Sequence, residues 1–155
     1  MKKALTLLAI FLNFAVFTSC NDNDSELDEL ATMRQRWEKL ELRDYSYEAG
    51  YNCFCGGTGP YILEFIDGEL DTVYLSDGEA SEVDYETMLE ITDDLVIENL
   101  FSKIKENIDR NPHSFNVEYN HQFFFPKEAY FDFEKNIADE ELGYYIRDFS
   151  ISQVE

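Results

Sequence analysis

Basic residues are scarce. Twelve Lys and Arg stand against 33 Asp and Glu in 155 residues, for a formal net charge of −21. Nucleic-acid binding needs a basic surface to neutralise phosphates, so no nucleic-acid partner is expected. The same deficit excludes peripheral attachment to anionic lipid through a basic patch. Proline and glycine are few, 3 and 7, while hydrophobic residues make up 45%. That balance excludes a collagen-like repeat and a disordered chain. The length allows one domain with a sizeable core. The longest apolar run, Ala4–Phe17, is broken only by Thr6 and Asn13. It is too short to cross a hydrocarbon layer of ~30 Å as a mature helix. Only two histidines occur, His113 after Pro112 and His121 at an expected strand end. A Ser–His–Asp or Cys–His arrangement needs a positioned imidazole, so no catalytic residue is assigned.

The amino terminus is built differently from the rest. Met1–Lys2–Lys3 is basic, the apolar run follows, and Phe17–Thr18–Ser19–Cys20 leads at once into Asn21–Asp22–Asn23–Asp24. A basic start, a short apolar stretch and small residues before a cut are the marks of a secretory signal. With Cys directly after the small residues, the segment resembles a bacterial lipoprotein signal. The resemblance implies cleavage before Cys20 and a diacylglycerol on its thiol. The expected organisation is a cleaved signal at 1–19, a lipidated Cys20 with an acidic tether at 20–25, and a single domain at 26–155. The membrane is then a partner through Cys20, and the location is the bacterial cell envelope.

Along the mature chain, Ser25–Glu26–Leu27–Asp28 approximates a capping box. Leu27, Leu30, Met33 or Arg34, Trp37 and Leu40 recur at helical spacing, which predicts a helix over 25–42. Trp37 at this spacing is read as a core anchor. Tyr45, Tyr47, Ala49, Tyr51, Cys53 and Cys55 alternate with other residues, which predicts a strand with those six facing inward. Gly56–Gly57–Thr58–Gly59–Pro60 ends it as a turn, because no Lys–Ser/Thr follows to make a phosphate cradle. Asp67–Gly68 between strand-like runs predicts a two-residue hairpin. Its regular register sets Phe65 opposite Leu70, Leu63 opposite Thr72, and Glu64 opposite Asp71. Ile97, Leu100, Phe101, Ile104 and Ile108 mark a second helix ending at Asn111–Pro112, with Thr92, Asp93 and Asp94 as its cap. A turn of helix is expected at Tyr85–Leu89. Phe115, Val117, Tyr119 and His121 predict a further strand, and Ala129–Glu134 and Tyr144–Ile151 a final pair. The fold class is α+β. Two amphipathic helices pack on an antiparallel sheet of about six strands, in α-β-β-β-α-β-β-β order.

This arrangement of residues resembles a bacterial domain of unknown function found in small lipoproteins and secreted proteins. The resemblance rests on Trp37, Tyr45–Ser46–Tyr47, Cys53–Phe54–Cys55, Asp67–Gly68 and Leu100–Phe101. Val117–Glu118–Tyr119, Phe125–Pro126, Asp132 and Asp139–Glu140–Glu141 complete it. It spans about residues 34 to 150 and implies a place outside the cytoplasm, with no activity attached. The architecture is also similar to helix-plus-sheet units of PepSY and β-lactamase-inhibitor type, which bind or inhibit proteins.

Cys53–Phe54–Cys55 is the one compact chemical motif. With Cys20 lipidated, two thiols remain in an oxidising compartment, an even count that suggests pairing. Residues i and i+2 of a strand stand ~6.5–7 Å apart at Cα, at the upper limit for a disulfide. Three states stay open: a disulfide, free buried thiols, and a redox or soft-metal site. No metal or cofactor is assigned. Asp22-x-Asp24-x-Glu26 begins like a calcium loop, yet Leu27 stands where the loop needs Gly and Met33 where it needs Glu. The expected function is a non-enzymatic envelope module that binds a protein or peptide. The alternative is envelope thiol chemistry at Cys53 and Cys55.

Overall fold

A computed structural model of the protein describes residues 22–53, 59–76, 85–135, 137 and 140–152. The signal segment, Cys20, Cys55, most of the glycine-rich turn, Asp139 and residues 77–84 lie outside the described residues.

The first helix, α1 (Asp22–Glu38), begins earlier and ends earlier than its apolar periodicity indicates. Residues 22–24, expected in a tether, belong to its first turn. At the other end Leu40 N–H donates to the Trp37 carbonyl, and Glu41 takes a positive φ of 49°. The periodicity misleads here because Leu40 and Leu42 still pack on the core from the turn.

Six strands follow in two groups of three. They are β1 (Tyr45–Cys53), β2 (Tyr61–Ile66), β3 (Glu69–Leu75), β4 (Ser114–Tyr119), β5 (Pro126–Asp132) and β6 (Leu142–Ile151). The sheet order is β3-β2-β1-β6-β5-β4, and every neighbouring pair is antiparallel. Two meanders are thus joined through their first and last strands, which form the centre. The expected α+β class and element order are those of the protein, with one addition. The connection between the meanders holds two helices, α2 (Tyr85–Thr92) and α3 (Ile97–Asp109), separated by a 3₁₀ turn at Asp93–Leu95. Thr92 is not the cap of the later helix. Its buried hydroxyl donates back to the Met88 and Leu89 carbonyls, 2.8 and 3.3 Å away, and closes α2. Val96 is extended at φ −62°, ψ 127°, so the helical path restarts at Ile97.

The β2–β3 register departs from the regular hairpin. Ile66 faces Glu69 and Phe65 faces Leu70, but Glu64 then faces Thr72, and Leu63 faces Val73. Asp71 is the extra residue of a bulge. The bulge shifts the side-chain phase, so that Leu70, Val73 and Leu75 all turn toward the core. It also removes the like-charge pairing of Glu64 with Asp71. The β4 alternation stops at Tyr119, and His121 lies in the following turn, exposed.

All three helices are served by one face of the sheet. Tyr45, Tyr47, Leu63, Phe65, Phe131 and Ile146 meet Leu30 and Trp37 of α1 and Ile97, Leu100, Phe101 and Ile104 of α3 in one core. Trp37 stands edge-on to Tyr45 at 5.5 Å and to Phe125 at 6.0 Å, and its indole N–H donates to Glu98 Oε1 at 2.9 Å. Two tyrosines of β1 hold the break between α2 and α3. Tyr47 O–H donates to the Leu95 carbonyl at 3.0 Å, and Tyr51 O–H donates to the Ile91 carbonyl at 2.8 Å. Those carbonyls lie where the helical ladder is interrupted and need outside donors. The other face of the sheet bears polar residues, with Tyr74 donating to Glu64 at 3.0 Å and Arg147 lying over the Tyr145 ring at 4.5 Å.

Candidate binding cleft beside strand β4

A cleft of about 570 Å³ opens between α1 and the β4–β5 hairpin. One wall is the side of α1 that carries Glu29, Met33 and Arg36. The other is Val117–Tyr119 of β4, with Asn120, His121 and Phe124 of the turn and Lys127 of β5 closing one end.

The turn is fixed by its first residue. Asn120 Oδ1 accepts the N–H groups of Gln122 and Phe123 at 2.9 and 2.8 Å. Its own N–H donates to the Phe125 carbonyl at 2.9 Å, and Phe124 N–H donates to its carbonyl at 2.8 Å. This pattern is what an Asn side chain does well at a turn. It holds Phe124 at φ 67°, a conformation non-glycine residues seldom take. The ring is thereby presented to the Arg36 guanidinium, 5.4 Å from its centroid. Phe125, the next residue, is buried against Trp37 and ties the turn to α1.

Arg34, Arg43, Lys103 and Lys105 each pair with a carboxylate. Among the described residues, Lys39, Arg110, Lys135 and Arg147 have no carboxylate within 4.0 Å, and neither do Arg36 and Lys127 of the cleft. Two cations without a carboxylate partner therefore line one cavity of a strongly acidic chain. Glu29 and Glu118 lie in the same lining, while Met33, Val117 and Phe124 supply apolar surface. The Tyr119 phenol is pushed well above its ordinary range by burial, and next by the charges of Glu29 and Glu26. It stays a neutral donor at physiological pH. The combination suits an extended or amphipathic ligand with an apolar part and a negative end.

The residues singled out from sequence lie elsewhere. Cys53 ends β1 opposite Leu142 of β6 and is half-buried. Cys55 and Cys20 fall outside the described residues. His113 and His121 stand apart, one before β4 and one after it, and both are exposed. Among the described residues no three His, Cys, Asp or Glu side chains are grouped to hold a metal ion, and no helix is long and apolar enough to cross a membrane. The cleft itself was not read from sequence. Asn120 beginning a turn was a legible signal. The approach of Arg36 on α1 to Phe124, 88 positions later, left no trace in either local pattern.

A helical layer on one face of a six-stranded antiparallel sheet, open at one edge, defines the class of this domain. The chain belongs to a family of unknown function, DUF6174, which matches it over residues 29–151. No curated protein and no solved structure matches the chain.

Proposed function

We propose that the protein is a lipid-anchored lipoprotein of the bacterial cell envelope, and that its domain is a non-enzymatic module binding a protein or peptide. The anchor is Cys20, in its signal-like context of a basic start, a short apolar run and Thr18–Ser19. The observation that carries the binding role is the cleft, which combines apolar surface, an aromatic ring and two cations with no carboxylate within 4.0 Å among the described residues. Binding sites are commonly concave and largely apolar, with a few polar groups that fix orientation. With Cys20 lipidated, Cys53 and Cys55 are the two remaining thiols in an oxidising compartment, and in this reading they pair as a disulfide.

Two measurements on protein purified from the envelope test this reading. Intact mass before and after thiol alkylation is expected to show a lipid adduct at Cys20 and no alkylation at Cys53 or Cys55. An unmodified Cys20 removes the anchor; two alkylated thiols remove the disulfide and return thiol chemistry to consideration. A photo-crosslinking residue in place of His121, at the cleft mouth, is expected to give a discrete protein adduct in cells. The same residue at Ile66, on the opposite side of the sheet, is expected to give none. Equal yields at the two positions would reject the cleft as the binding site.

A further inference from the structure

An antiparallel sheet of six strands has two edges, and this protein treats them differently. The β3 edge is protected. Asp71 bulges there, α2 packs against the strand, and Tyr85 O–H donates to the Asp71 carbonyl at 3.3 Å. Bulges, charge and covering elements are the means by which proteins block an edge from pairing. Among the described residues no element covers the β4 edge, and its one charged residue is Glu118. Its register with β5 runs without interruption from Ser114 to Glu118, and the extra residue near Tyr119 lies on β5, at Lys127. Among the described residues, β5 is the sole hydrogen-bonding neighbour of β4. Alternate N–H and C=O groups of β4 therefore face outward. The strand contains no proline, and its side chains alternate between exposed and half-buried along its whole length. The half-buried set includes Val117 and Tyr119, which are also walls of the cleft.

An open strand edge and a pocket beside it, built from the same residues, are the two parts of recognition by strand addition. Main-chain hydrogen bonds supply affinity, and alternate side chains of the added strand enter the pocket for specificity. We propose that β4 accepts an extended peptide segment as a seventh strand, and that the cleft selects a segment bearing an apolar side chain next to an acidic side chain or a terminal carboxylate. The inference rests on the binding role proposed above and assigns it a surface and a partner chemistry. Arg36 and Lys127 are the groups for the carboxylate, since both line the cleft and neither has a carboxylate within 4.0 Å among the described residues. A second copy of this chain pairing through β4 is disfavoured, because each copy carries a net charge of −21 and the two would repel.

The test uses the full mature chain and a bead library of randomised nine-residue peptides as the probe. Selected sequences are expected to alternate apolar and polar residues and to carry Asp, Glu or a free carboxyl terminus. N-methylation of alternate backbone amides in a selected peptide leaves every side chain in place and is expected to abolish binding in one of the two frames. Arg36→Gln with Lys127→Gln is expected to weaken binding at least tenfold while leaving the urea midpoint unchanged. Amide exchange of Ser114–Tyr119 is expected to slow on peptide addition. Peptides that bind in spite of N-methylation in both frames would overturn strand addition and leave the binding module standing. Enrichment of basic sequences would overturn the carboxylate preference. A library with no binder at all would overturn both this inference and the peptide-binding role beneath it. A dimer in solution, broken by Val117→Lys, would replace the peptide by a second copy.

Discussion

Trp37 shows how a single residue is fixed by two kinds of contact at once. Its ring is 4% exposed and touches Tyr45, Phe125 and Phe149 edge-on, while its N–H reaches the Glu98 carboxylate of α3. The side chain therefore joins α1, the sheet and α3. Trp37→Phe keeps much of the packing and removes the charge-assisted hydrogen bond, so a loss of about 1.5–3 kcal/mol is expected in urea unfolding. Glu98→Gln keeps an acceptor and is expected to cost less than half as much. Tyr47 and Tyr51 offer a second comparison. Tyr47→Phe leaves the carbonyl of Leu95, itself a fully buried residue, without its donor, and about 1–3 kcal/mol should be lost. Tyr51 is half-buried, so water can replace its hydroxyl, and Tyr51→Phe is expected to cost clearly less. If the two Tyr variants lost equal stability, the distinction drawn from burial would fail. The anchoring role of Trp37 was legible in sequence, because its spacing placed it on the apolar stripe of a helix. Its Glu98 partner was not, since an exposed acid on a second helix has no local signature.

Among the elements, strand β3 separates what pattern reveals from what geometry adds. Asp67–Gly68 announces the hairpin, and the first two cross-strand pairs follow from it. The rest requires the bulge. Leu70, Val73 and Leu75 are spaced by three and then two, which a strand of strict period two cannot bury on one face. That irregular spacing was the signal for an inserted residue, and a regular register passed over it. Deleting Asp71 removes the extra residue and keeps Leu70, Thr72 and Val73 opposite Phe65, Glu64 and Leu63, so Leu70, Val73 and Leu75 follow at strict period two and stay inward. The deletion is therefore expected to stay within about 1 kcal/mol of the parent in urea unfolding. Asp71→Asn keeps the chain length and should stay within about 0.5–1 kcal/mol of the parent. A deletion variant that unfolded far more readily than the parent would show that the bulge does more than accommodate one extra residue. The same contrast covers the whole fold. Helices, strands and their order were readable because apolar periodicity and turn residues are local. The break between α2 and α3, the early end of α1 and the cleft were not, because each depends on contacts between distant segments. For the helix break those contacts are the tyrosines of β1 reaching Ile91 and Leu95.

The whole molecule is dominated by negative charge and by buried phenols, and each predicts a distinct solution behaviour. Net self-repulsion at −21 destabilises the compact state and is screened by salt. The melting temperature is accordingly expected to rise between 20 and 500 mM NaCl, and a fall would mean that the few ion pairs outweigh the repulsion. The phenols act at high pH. Tyr45, Tyr47, Tyr51 and Tyr119 are all held above the ordinary tyrosine value of 10.0, in each case first by burial and then by neighbouring acidic or tyrosine groups. The folded state keeps these protons where the unfolded chain releases them. The stability they contribute is thus present in full below pH 10 and is lost as pH rises above it. Each phenol that stays protonated in the folded state steepens the loss by about 1.4 kcal/mol per pH unit. Urea unfolding is therefore expected to show little dependence on these groups up to pH 9 and a steep decline above pH 10. Tyrosinate absorbance near 295 nm should rise in two stages, the second coinciding with loss of structure by circular dichroism. Because Tyr47 is fully enclosed, Tyr47→Phe removes one whole proton from this linkage and should make the alkaline slope shallower by about 1.4 kcal/mol per pH unit. Complete tyrosinate formation at pH 11 in a protein that remained folded would show that the phenols of β1 meet water, and would undo the account of how β1 holds the helical connection.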